Sequence, residues 1–429
     1  MLLEFTVKNF KSIAESQRLS LVAGKGSSGI ERRSIATGNS FASHALRSAS
    51  IFGPNGAGKS SLLEAINFFV NFVEDSAKNA TEGDDIDVTP FRLSKTLRAA
   101  ASEFEVIFIH EGTLYQYGFV VDKTRVYAEW LFSRPNEAGS RMRQLFQREF
   151  DEVNNNYAWE INENYVKGER EIWKKSTRDN ALFLSTAVQL NSISLRQPFV
   201  WISGFLIVLP PPENFPKQYS AALCKSDETK HDVLNFVRSA DLMIEDIKVD
   251  ETEVTLPKDI EEFVSETGLM RLKESTKKAK HLRTSTFHRS QDGELVEFDI
   301  NEESAGTQVL FALACSWIDV LREGYTLFVD ELHNSLHPVA LKHLIEMFHD
   351  PAINKKGAQL VFTTHDTTII SGGFMHRDQI WIIEKREGGA SHLYPLSDFN
   401  VRGSEAFGRA YLSGVFGGLP HPTEFSLGE

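Results

Sequence analysis

The hydrophobic pattern changes period along the chain. Residues 2–13, LLEFTVKNFKSI, alternate apolar and polar positions, the two-residue period of a strand with one buried face, and read as an edge strand. RSASIF (47–52) is a short buried run, and SSLLEAINFFVNFV (60–73) repeats its apolar residues at helical spacing. After a polar, acidic loop (TEGDDIDVTP, 81–90), EFEVIFIHEG, TLYQYGFVVDK and RVYAEWLFSRP form three β-rich runs separated by turn residues, which predicts a meander over 103–135. Residues 168–195 read as helical around WKKSTRDNALFLSTAVQL.

From 213 to 295 the pattern becomes helical and charged, with DETKHDVLNFVRSADLM and KDIEEFVSETGLMRLKESTKK as the two candidate helices. Neither sustains heptads long enough for an extended coiled coil. STFHRSQDGELVEFDI closes the segment as a hairpin around Asp292-Gly293. Strand–helix alternation then resumes through GTQVLFALACSWIDVLREG, TLFVDE, HPVALKHLIEMFHD, AQLVFTTHD and DQIWIIEKR, the order of a parallel sheet. The expected organisation is an N-terminal lobe (1–212), a helical, charged insertion (213–295) and a C-terminal lobe (296–429).

Composition narrows the class. The 429 residues are 41% hydrophobic and 24% charged, the balance of a globular protein. No apolar run approaches the roughly 20 residues that span a bilayer. FVWISGFLIVLPPP is short, contains Gly204 and runs into prolines. The N-terminus reads as a strand rather than a signal peptide. Cys224 and Cys315 are the only cysteines, with no C-x-x-C, so disulfides and structural zinc are not expected and a cytoplasmic location is the default. A net charge of −13 argues against a protein coated in nucleic acid, while leaving room for a local basic face.

The candidate chemistry begins at Gly53-Pro54-Asn55-Gly56-Ala57-Gly58-Lys59-Ser60, with Ser61 following. These residues fit G-x-x-x-x-G-K-[ST] at every fixed position, between an apolar strand and a helix. Glycines let successive N–H groups turn inward as an anion nest, and the helix N-terminus adds its positive end. Lys59 would reach the β- and γ-phosphates of ATP, and the Ser60 hydroxyl would ligate Mg²⁺. LFVDE (327–331) is an apolar strand ending in two carboxylates: Asp330 suits the Mg²⁺ shell and Glu331 suits a general base on the attacking water.

ESAGTQ (303–308) opens a helix upstream of Asp330, NSLHP (334–338) follows it, and TTHD (363–366) ends the next strand. In that order they resemble the signature, D-loop and switch histidine of ABC-type ATPases. FTVKNFKSI, DQIWIIEK and YLSGVFGGLP (411–420) resemble the RecF, SMC and OLD branch, and within it the RloA-like bacterial AAA-type ATPases. The resemblance implies an α/β fold: a split ABC-type P-loop NTPase with a β-rich subdomain and an inserted helical subdomain. It carries catalytic roles to Glu331 and His365. It also implies that Ser304, Ala305 and Gly306 cover the γ-phosphate of another protomer and that Ser335 touches the opposite site. ATP would then join a homodimer or higher homo-oligomer. The signature departs from the full L-S-G-G-Q form, and no residue stands out as the glutamine loop. Members of the family are often found in phage-defence systems beside a separate effector, a nuclease or toxin.

Alternatives are a RecF-like ATPase that clamps DNA and an OLD-like nuclease; no H-N-H or TOPRIM-like carboxylate set follows the ATPase motifs. His333 and His337 stand four apart, a zinc-compatible spacing on a helix, but Pro338 follows immediately. The basic run from Arg271 to Arg289 reads first as a solvated helix face and second as a nucleic-acid contact. Trp381 reads as core.

Overall fold

A computed structural model of the chain describes residues 1–24, 30–79, 81–137, 139–215, 217–240, 242–253, 280–370, 374–399 and 406–419. The N-terminal half runs β1 (Leu2–Lys8), β2 (Gln17–Ser20), β3 (Ser34–Ala36), β4 (His44–Leu46), β5 (Ser48–Phe52), α1 (Lys59–Asp75), α2 (Lys95–Arg98), β6 (Ser102–His110), β7 (Thr113–Val121), β8 (Val126–Pro135), β9 (Arg143–Asp151) and β10 (Asn156–Ile161). There follow α3 (Arg170–Ser176), α4 (Phe183–Gln189), α5 (Arg196–Phe205), β11 (Leu206–Leu209), α6 (Lys217–Leu223), α7 (Asp227–Ser239), β12 (Asp246–Glu253), β13 (Lys280–Arg289) and β14 (Leu295–Asp299). The last part is α8 (Ala305–Glu323), β15 (Thr326–Val329), α9 (Pro338–His349), β16 (Gln359–Thr364), β17 (Ile380–Lys385), β18 (Ser391–Pro395) and α10 (Ala406–Leu412).

Two large sheets organise this mixed α/β fold. The seven-stranded sheet, β10-β9-β8-β7-β6-β1-β2, is antiparallel throughout. The meander expected over 103–135 is present and continues through β9 and β10. β1 is not an edge strand: β2 folds back onto its free side in register Glu4↔Ser20 to Val7↔Gln17, so β1 lies between β2 and β6. The six-stranded sheet, β11-β15-β16-β5-β17-β18, is parallel except for β18. It is assembled from both halves of the chain, with β5 inserted between the late strands β16 and β17.

Alternation along these buried strands feeds two cores. Ile51, Phe328 and Val361 face the cluster shared with α1 and the seven-stranded sheet. Their neighbours Phe52, Leu327, Val329, Leu360 and Phe362 face the cluster shared with α8 and α9. Covering on both faces explains why these strands read as unbroken apolar runs.

The segment after 212 is helical only in part. α6 and α7 are followed by an antiparallel sheet, β12-β13-β14, which includes the expected Asp292-Gly293 hairpin. The strand residues are mostly charged or hydroxylated, so helix-like composition hid a two-residue period. Residues 280–289 of the basic run therefore lie on β13 rather than on a helix face. Residues 271–279 and the whole of the second candidate helix, 258–278, lie outside the described residues. Over 168–195 the helix is broken into α3 and α4.

That break has a cause in the core. Glu129 on β8 and Arg148 on β9 are fully buried and paired at 2.9 Å. The remaining Glu129 capacity is filled by the Tyr117 hydroxyl at 3.0 Å and by the first two amides of α4, Phe183 N at 2.7 Å and Leu184 N at 2.9 Å. Arg148 also donates to Ala181 O at 2.5 Å. The carboxylate thus takes the place of an N-cap, favoured by the helix dipole, and fixes where α4 begins.

Candidate nucleotide site

The P-loop lies between β5 and α1, as its motif requires. Gly58 has φ +111 at the N-cap of α1, and a Cβ there would lie 2.1 Å from Ser391 Oγ and 2.6 Å from Ser12 Oγ. Only glycine satisfies both the dihedral and the contact. Ser391 Oγ lies 2.6 Å from Ala57 O and 2.8 Å from Ser12 Oγ. Having one proton, it serves both by donating to the carbonyl and accepting from Ser12. The loop is thereby braced from β18 and from the turn after β1. Asn55, Gly56 and Ser60 are exposed, whereas Gly53, Ala57 and Lys59 are buried and Pro54, Gly58 and Ser61 are half-buried.

Lys59 curls over its own loop: Nζ donates to Gly53 O at 2.8 Å and Pro54 O at 3.2 Å. Burial lowers its pKa, while the nearby Glu331 and Asp330 charges oppose that shift. The amine therefore rests on neutral carbonyls within reach of an acidic field.

Ser60 Oγ donates to Asp330 Oδ2 at 2.6 Å across 270 residues of sequence. Thr363 Oγ1, at the end of β16, donates to Asp330 Oδ1 at 2.5 Å and accepts from Glu331 N at 2.7 Å. Both Asp330 oxygens are thus oriented by hydroxyls. Glu331 has φ +48, an uncommon conformation outside glycine. Its carboxylate accepts from Asn334 Nδ2 at 2.8 Å. The Ser60 hydroxyl and Asp330 carboxylate are hard oxygen donors of the kind Mg²⁺ takes.

His365 is exposed and lies against His333, Nε2 to Nε2 3.0 Å, with ring centroids 3.8 Å apart. Burial, then the neighbouring His365, pushes the His333 pKa down to about 4. Among the described residues no hydrogen bond joins His365 to the P-loop. His337 caps α9, accepting from Val339 N at 3.3 Å, so the two histidines of the spaced pair serve different partners.

Ser304 is the N-cap of α8: its Oγ accepts from Thr307 N at 3.2 Å. Ser304 and Ala305 are exposed, as is Ser335, which has φ +60. A Cβ on Gly306 would lie 2.9 Å from Ser335 O, so the start of α8 and the turn after Glu331 meet closely there. Among the described residues no hydrogen bond connects Ser304, Ala305 or Gly306 with the P-loop of the same chain. Thr363 escaped the sequence reading, although TTHD placed it at a strand end beside His365. Ser12 and Ser391 gave no local signal, because their contact depends on sheet order.

The family model described as "AAA domain, putative AbiEii toxin, Type IV TA system" matches residues 48–371. Solved structures of the recombination mediator protein RecF in the RecFOR pathway also match. The RecF-ATPrS structure shows 13% identity and a TM-score of 0.31, covering 92% of this chain and 98% of that one. The RecF-ATP structure shows 15% identity and a TM-score of 0.29, covering 92% and 97%. Likenesses this distant do not bear on the residues of the site. No curated protein matches the chain.

Proposed function

The chain belongs to the family of AAA domains described as putative AbiEii toxin of a type IV toxin–antitoxin system, and from that premise we propose that it binds and hydrolyses ATP with Mg²⁺. The observation that carries this reading is the 2.6 Å contact between Ser60 and Asp330, which joins a complete P-loop to the acidic strand end. Lys59 leaves its loop carbonyls for the β- and γ-phosphates, and the loop amides hold their oxygens. Ser60 and Asp330 would hold Mg²⁺, which would supply positive charge against the phosphate oxygens. Glu331 accepts the proton of the attacking water, and Thr363 positions both acidic residues. His365 serves as the switch histidine.

In this reading ATP sits between two copies. The exposed start of α8 supplies Ser304, Ala305 and Gly306 to the partner's phosphate, with Ser335 alongside. Closure excludes water and orients the attacking one. We place the chain as a nucleotide-gated sensor or scaffold controlling a separate effector in antiphage defence; the family's toxin–antitoxin description supports membership of a two-component system and itself names a toxin.

Two variants separate binding from chemistry. Lys59→Ala should lose ATP binding while keeping the fold. Glu331→Gln should retain ATP and lose turnover by about 10²–10⁴-fold, the range for a general base. Equilibrium ATP binding and phosphate release measure both; wild-type turnover in Lys59→Ala would sink the assignment.

A further inference from the structure

The six-stranded sheet ends at β11, whose outer side has no strand partner among the described residues. Leu209 O accepts from Asp330 N, so Leu209 and Ile207 turn their backbone groups toward β15. By strand alternation Leu206 and Val208 turn theirs outward. Among the described residues no hydrogen bond reaches the Val208 N–H or carbonyl from that side.

A cleft of about 310 Å³ opens along this edge. α1 overhangs it from one face of the sheet with Asn71 and Glu74, and α8 from the other with Ser316, Asp319 and Glu323. Ser316 is only 2% exposed, yet among the described residues its hydroxyl has no hydrogen-bond partner. Three carboxylates and no Lys or Arg line the cleft. All three have partners: Asp319 accepts from the Tyr219 hydroxyl at 2.7 Å, while Glu74 and Glu323 pair with Lys78 at 3.5 Å and Lys356 at 3.0 Å in partly to largely exposed ion pairs that contribute little and exchange readily.

We propose that this cleft binds an extended, basic segment of a different protein, added as a seventh strand beside β11. Main-chain bonds to Val208 give the attachment, and Lys or Arg side chains meet the carboxylates on α1 and α8. A second copy docked here would bring a chain of net charge −13 to an acidic cleft with no nucleotide between the copies to join them, unlike the ATP-bridged pair. The surface uses no P-loop residue and stands or falls separately from the ATP reading.

The test uses the full chain and a fluorescein-labelled octapeptide of alternating Arg and Val, followed by anisotropy. Saturable binding is expected, weakened at least about tenfold, or 1.4 kcal/mol, by the charge-reversing pair Glu74→Lys and Glu323→Lys. Two further peptides carry N-methyl groups on the odd or on the even backbone nitrogens. Strand addition predicts that one phase loses at least about tenfold in affinity while the other binds. Hydrogen exchange at the Val208 amide should slow on binding. Equal affinity for both methylated phases, no effect of the charge reversal, or no binding up to about 1 mM peptide would overturn the proposal.

Discussion

Asp330 is held by two hydroxyls from opposite ends of the sequence, Ser60 and Thr363, and this shows how much of the site depends on single donors. Another such arrangement surrounds His349. Its Nε2 lies 2.8 Å from Ser48 Oγ and 3.2 Å from Gln379 Nε2, while Gln379 Nε2 itself donates to Ser48 Oγ at 2.8 Å. The ring nitrogen therefore faces donors and must stay unprotonated. Burial first, then the Arg33 and Arg47 charges, push its pKa down to about 3. A proton is thus bound more readily by the unfolded chain, whose histidine titrates near 6.5. The stability from neutral His349 is complete above that value and is lost as pH falls toward about 3, at up to about 1.4 kcal/mol per pH unit. His349→Gln should flatten this acid limb, read as denaturation midpoints between pH 7 and 4. An unchanged slope would remove His349 as its cause.

Helices and strands differ in how far the sequence specified them. α1, β15 and β16 were legible because short motifs lie at their ends and their apolar spacing is regular. The places of β1 and β12 were not. β1 shows the same alternation whether or not β2 covers its free side, and β12 hides its period among charged residues. The loop lysine and acidic strand end were readable locally; Ser391 bracing Ala57 was not, since sheet order alone makes them neighbours. The Glu129–Arg148 pair belongs with these long-range features, because it joins β8 and β9 to the start of α4. Removing one partner leaves a buried charge and frees the first amides of α4. Glu129→Ala should therefore cost about 3–5 kcal/mol in chemical denaturation, whereas charge changes at the exposed Lys123–Asp85 pair should leave the denaturation midpoint nearly unchanged. A loss below about 1 kcal/mol for Glu129→Ala would show that α4 is placed by packing alone.

Taken as one body, the molecule carries its P-loop and acidic strand end together and presents the start of α8 on an exposed surface beside Ser335. On the proposed reading, one chain supplies most of a nucleotide site and, separately, a cover for another. Mixing two defective variants tests this division most directly. Lys59→Ala has no working P-loop but an intact α8 start. Ser304→Arg has a working P-loop, with a bulky cation at the surface that should cover its neighbour. Each alone should hydrolyse ATP at least about tenfold more slowly than the wild type. In a mixed pair, the good P-loop of one chain meets the good α8 start of the other. Phosphate release from the mixture should therefore rise well above the sum of the separate rates. Wild-type turnover by Ser304→Arg alone, or no rise on mixing, would contradict a site completed by a second copy.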